Sequence, residues 1–164
     1  MPHDLTELAR VGGVLEEAHS LLESEHERLR RQYGPRPHGD ASAGSPMQTL
    51  HGVTYLSNAV SESLKWVALA AGYSVLGLED RADHALARAR MEPVGFPSSA
   101  DRMARPLGAG TVRALELVRD LGFFEGDIAV AIDVALAAPQ ATYPPADWSA
   151  YAEERQRRAR LEDD

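Results

Sequence analysis

Apolar positions along this chain recur every three to four residues almost throughout and almost nowhere at every second residue, so the pattern predicts an all-α protein. The first periodic stretch runs from about Leu5 to Tyr33. Asp4 and Glu7 stand at capping-box spacing at its start, and Gly34-Pro35 ends it. A Gly/Pro/Ser-rich loop, Gly34 to Pro46, separates it from a second helix over about Met47–Leu76, with a kink expected near Gly72. A third helix covers about Leu78–Met91. Pro93, Gly95 and Pro97 then break the pattern, and Ser98 or Ser99 caps a short helix ending before Pro106. A fourth helix spans about Thr111–Leu121 with Gly122 as its C′ residue, and a fifth about Gly126–Ala138, closed by Pro139. The expectation is a single-domain helical bundle of about five main helices over 1–139, followed by a Pro-containing tail over 140–164 with a short charged helix from Asp147. No internal repeat is present.

The faces of these helices point to candidate chemistry. In the first helix Leu8, Val11, Leu15, Ala18, Leu22, Leu29 and Tyr33 make one stripe, and His19 and His26 fall inside it with Glu23 at its edge. The two imidazoles are about 10 Å apart along the axis, too far to share one metal directly. The second helix has an apolar face (Val53, Leu56, Val60, Leu64, Val67, Ala71) and a face of small residues (Gly52, Ala59, Ser63, Ala70) suited to close helix approach. Its third face carries His51, Tyr55, Asn58 and Glu62, then Trp66, Leu69, Tyr73 and Leu76, as if polar groups ran into an aromatic wall. The competing reading is that the polar half faces water. The fifth helix is apolar around its circumference apart from Asp127 and Asp133, which predicts burial and a mid-helix carboxylate at the core. An ion pair with an arginine is the plainer account of Asp133. Asp80, Asp83 and His84 project away from the Leu78/Ala82/Ala85/Ala89 stripe and read as solvated.

Composition narrows the function classes. At 164 residues the chain holds one ordinary domain, and with no cysteine it has neither disulfides nor thiolate chemistry. A net charge of -8 argues against a nucleic-acid partner. No stretch approaches a membrane span, and the N-terminus runs into a helix without a secretory h-region, so a cytoplasmic protein is expected. Lys65 is the single lysine among 17 basic residues, and alanine is abundant, which suggests a G+C-rich bacterial genome.

Specific chemistries match only in fragments. Glu16-x-x-His19 and Glu23-x-x-His26 have the spacing of a di-metal bundle, but both lie on one helix. One metal held by His19 or His26 with Glu62 and Asp133 is the simpler metal alternative. Glu16-Glu17 with Asp80-x-x-Asp83 weakly resembles the magnesium-binding segments of the all-α nucleotide pyrophosphohydrolases, with Ser20 where that family's third glutamate stands. Arg31 and His38 have the spacing of a helical nuclease motif but straddle the Pro-rich loop. No phosphate-binding glycine loop or nucleophile elbow occurs.

Two functions therefore stand. The first is a small helical-bundle enzyme or ligand-binding protein with a cavity between the first, second and fifth helices, cofactor-free or with one metal, its cofactor unknown. There His51 and Tyr55 donate protons or hydrogen bonds, Glu62 and Asp133 act as bases, and His26, His19, Asn58, Trp66 and Tyr73 contact a small organic molecule by general acid/base chemistry. The second is a non-catalytic helical interaction protein. Either is expected to form a homodimer, since apolar helices in a short chain favour a shared core.

Overall fold

Asp4 starts the first helix: its Oδ1 accepts hydrogen bonds from the backbone N–H groups of Thr6 at 2.8 Å and Glu7 at 3.4 Å. The reciprocal half of the expected capping box is not made, because the Glu7 carboxylate turns to Arg10 at 2.6 and 2.8 Å. The structure, a computed structural model, describes residues 2–33, 46–91 and 107–139. Five helices order them: α1 (Leu5–Tyr33), α2 (Pro46–Val75), α3 (Glu79–Met91), α4 (Ala109–Leu121) and α5 (Asp127–Ala137). No strand occurs among the described residues, so the protein is the all-α bundle its periodicity predicts. The loop over 34–45, the short helix expected after Ser98 or Ser99, and the tail over 140–164 lie outside the described residues.

Glycine sets where the helices stop. At the end of α2 the Leu78 N–H reaches the Tyr73 carbonyl at 2.9 Å and the Gly77 N–H reaches that of Ser74 at 3.1 Å, with Gly77 at φ +70°. This pair of bonds satisfies the last carbonyls and needs a residue without Cβ at the left-handed position. The helix, for which a kink is expected near Gly72, runs on through that residue to Val75. Gly122, at φ +64°, closes α4 as its sequence position predicts.

Contacts between helices fix their directions. Gly12 of α1 faces Leu64 and Val67 of α2, while Glu23 faces Ser57, so the α2 number falls as the α1 number rises and the two run antiparallel. The same logic makes α3 antiparallel to α2, since Trp66 meets Arg88 and Tyr73 meets Arg81. Glu25 lies against Gly108 and Gly110 at the start of α4, while Leu8 and Val11 line one cavity with Leu121 and Gly122 at its end, so α4 is antiparallel to α1. Thus α1 is sandwiched between α2 and α4, α3 flanks α2, and α5 packs on α4.

The core follows the predicted stripes. Leu8, Val11, Leu15, Ala18, Leu22 and Leu29 are buried on α1, as are Val53, Leu56, Val60 and Val67 on α2. The small face of α2 accepts a close neighbour: buried Ser63 donates to the Ala89 carbonyl at 2.8 Å, opposite the buried Ala82, Ala85 and Ala89 of α3. Leu15 and Leu22 have no more than 1% of their surface exposed, so each contributes on the order of 2–3 kcal/mol of transfer free energy.

The expectation that fails is α5. It buries Ala131, Ile132 and Ala135 but leaves Val130 and Val134 at 61% and 48% exposure, and Asp133 is exposed with them. An apolar circumference implies burial only for a helix surrounded by others. This one lies at the edge of the bundle, so Asp133 is a solvated carboxylate rather than a core group.

Candidate functional site

The polar half of the α2 stripe emerges into solvent. Tyr55, Asn58 and Glu62 are all exposed, and Glu62 is held by Lys65 at 3.0 Å on its own helix. His51 lies in the same half of α2, its side chain outside those described. Trp66 and Tyr73, farther along, are half-buried. Their rings do not wall a cavity with α1 and α5; they face α3, where Arg88 lies 4.9 Å from the Trp66 ring and Arg81 6.0 Å from that of Tyr73. His19 and His26 are partly exposed at the edges of the α1 stripe. Among the described residues no three His, Asp or Glu side chains gather where a metal could be held, so His19, His26, Glu62 and Asp133 form no such cluster.

What does converge comes from the other end of α1. A cavity of about 310 Å³ lies where the α1 N-terminus, the C-terminal half of α3 and the α4–α5 connection meet. Its floor is apolar, with Leu8, Val11, Leu86 and Phe123 all buried, and its rim is polar, with His3, Asp4, Glu7, Arg90 and Glu125. The volume falls at the small end of the range for organic ligand sites. Each helix contributes for a local reason: the Asp4 cap fixes the entry to α1, and Gly122 turns the chain so that Phe123 drops beneath Arg90, whose guanidinium lies 5.7 Å from the ring.

His3 is the chemical feature of this rim. Its Nε2 lies 2.7 Å from Asp83 Oδ1, across 80 residues of sequence. A carboxylate only accepts, so Nε2 carries the shared proton and, in the neutral ring, Nδ1 keeps the lone pair. His3 has 20% of its side chain exposed against 68% for Asp83, so the imidazole lies between the cavity and an outer carboxylate that orients it. The reading of Asp83 as solvated holds for its exposure and misses this bond. Neither residue carries a spacing signal, since they meet only through the packing of α1, α2 and α3.

Two further polar groups escape the periodic reading. Buried Ser57 donates to Glu23, whose Oε1 is also 3.8 Å from His19 Nε2. The carboxylate is central in that cluster and the imidazole does not touch the hydroxyl, so it lacks the nucleophile–base contact of a serine hydrolase. The second is Glu25, buried on the α1 stripe where His26 is expected. Counting Leu22, Glu25, Leu29 at steps of three and four gives the same face as counting through His26, and the pairing available to a carboxylate decides between them. Arg28 binds Glu25 through two hydrogen bonds, at 2.7 and 3.0 Å, and the carboxylate lies on Gly108, where α4 begins with no side-chain cap of its own. A Cβ at Gly108 would collide with Glu25.

The Glu7 carboxyl is held below the usual range by its hydrogen bonds to Arg10, and Arg10 is raised in return. No described helix is long and apolar enough to cross a membrane. Among the described residues, fold and site thus define five helices with a rim-polar, floor-apolar cavity at one end of the bundle. No protein-family model matches the chain, and no curated protein or solved structure matches it either.

Proposed function

We propose that this protein takes a small organic molecule into the cavity between α1, α3 and the α4–α5 connection, with His3 as the group that exchanges a proton or hydrogen bond with it. The observation that carries this reading is the 2.7 Å His3–Asp83 pair at the rim of a cavity of about 310 Å³ with a buried apolar floor. Leu8, Leu86 and Phe123 would hold an apolar body by burial, and His3 would meet its polar end through Nδ1. His51, Tyr55, Glu62 and Asp133, the acid/base groups expected from the sequence, have no part in this version of the site.

A fragment screen read by amide chemical-shift perturbation tests it. Hits should move the amides of Val11, Leu86 and Phe123. Leu86→Trp, which fills the cavity, should abolish them, and His3→Ala should weaken those hits that carry a titratable or hydrogen-bonding group. Perturbations scattered elsewhere, or hits indifferent to Leu86→Trp, would remove the site.

A further inference from the structure

The rim of the cavity carries a charge imbalance. Among the described residues, four carboxylates, Asp4, Glu7, Asp83 and Glu125, line it or bond directly to its lining, against two guanidiniums, Arg10 and Arg90. Three of the four are held within the fold: Asp4 Oδ1 caps α1, Glu7 is bound through both oxygens by Arg10, and Asp83 accepts from His3 Nε2. Glu125 differs. It stands on the short α4–α5 connection with 68% of its side chain exposed, and the cation beside it, Arg90 Nη1, is 3.9 Å away, beyond hydrogen-bond distance. Arg90 in turn covers the Phe123 ring at 5.7 Å. His3 adds a polarity of its own. Its Nε2 is turned to Asp83, which is not part of the cavity lining, so the ring nitrogen left for a ligand is Nδ1, an acceptor in the neutral ring.

Taking the cavity as the binding site proposed above, we infer that its ligand is a free amine that carries one ammonium on a compact apolar body. An ammonium only donates, so it suits the Nδ1 lone pair, and its charge answers the carboxylate excess, with Glu125 as the group least engaged. The body lies on Leu8, Leu86 and Phe123, all buried. A carboxylate ligand would meet Arg90, but it offers no donor to Nδ1 and adds a negative charge where four already stand. A neutral alcohol satisfies His3 and leaves the excess as it was. A lysine side chain presented by another protein brings the same ammonium on a thin stem, tethered to backbone amides that need partners of their own. A free amine with a ring-sized body covers more of the floor of a cavity of about 310 Å³.

The test is a matched series titrated into the full chain and followed at the amides of Val11, Leu86 and Phe123: phenethylamine, phenethyl alcohol and hydrocinnamate, one body with a cationic, a neutral and an anionic end. The amine should bind about tenfold or more tighter than hydrocinnamate, with the alcohol between them. Added salt should weaken the amine and leave the alcohol unchanged. Glu125→Gln, an exposed substitution, should lower amine affinity about threefold or more without moving the alcohol, whereas His3→Ala should weaken both. Alcohol or hydrocinnamate binding as tightly as the amine overturns the inference and leaves the cavity reading standing. If none of the three moves these amides while the fragment screen still gives hits there, the inference falls alone; if the screen gives none, the cavity reading falls with it. Binding of Nα-acetyl-lysine methylamide as tight as that of the amine would give the ammonium to a protein side chain and overturn the free amine.

Discussion

Two imidazole–carboxylate pairs in this molecule look alike on paper and differ in what they can do. His19 and Glu23 are neighbours by helix geometry alone, one turn apart on α1, and their nearest atoms are 3.8 Å apart. His3 and Asp83 are 80 residues apart, yet lie at 2.7 Å with the imidazole at a cavity rim. The first pair follows from spacing, which any solvated helix face supplies at little energetic consequence. The second exists only because the bundle closes. Proximity in sequence is therefore the weaker guide to chemistry here.

The most severe way to break the comparison is to loosen α1, which carries His19 and Glu23 and into which His3 leads. Leu22→Ala on α1 should cost about 2–5 kcal/mol in chemical unfolding, because Leu22 is almost wholly buried between α2 and α4. Next, Gly108→Ala should cost about 1–3 kcal/mol by driving a methyl into the Glu25 carboxylate. Much of that loss should vanish in a Glu25→Ala background, and simple additivity in the double-mutant cycle would refute the contact.

The pairs themselves come next. His3→Ala should cost about 0.5–1 kcal/mol, discounted for the exposure of Asp83, and should raise amide exchange at the start of α1. His19→Ala should cost about 0.5 kcal/mol or less. Equal effects would erase the distinction drawn between them.

The smallest effect concerns Glu7. Its folded-state pKa lies below the unfolded value, so whatever stability its bond to Arg10 lends is present above the ordinary carboxylate range and fades as pH falls through the depressed value. An NMR titration should find the Glu7 midpoint below those of other exposed glutamates, returning to them in Arg10→Ala.

How far the sequence is legible depends on whether a residue's role is local. The stripes through Leu8 to Leu29 and Val53 to Val67, the Asp4 cap and the Gly122 stop all appear where periodicity and cap chemistry place them. α5 misleads because apolar character on every side says nothing of how many neighbours a helix has. The stripe over Tyr55, Asn58 and Glu62 misleads because a helical wheel shows which residues share a face and not what that face meets. His3, Asp83 and Phe123 could not be read as a site, since each looks ordinary beside its own neighbours. Glu25 is the exception that a closer count could have caught, being a carboxylate in phase with Leu22 and Leu29.

The clasp of Glu25 over the start of α4 also bears on the order in which the chain acquires its shape. α1, α2 and α3 meet as successive hairpins, so their contacts can form as soon as each follows the last. The face of α1 that receives α4 has no such near neighbour and waits, at ordinary rates of synthesis, on the order of ten seconds until residue 108 emerges. Through that interval Leu8, Val11 and Leu22 lack part of their cover, and a buried-to-be carboxylate keeps its water. Glu25, paired from the outset with Arg28 on its own helix, is the charged residue that interrupts an otherwise apolar strip until the start of α4 covers it.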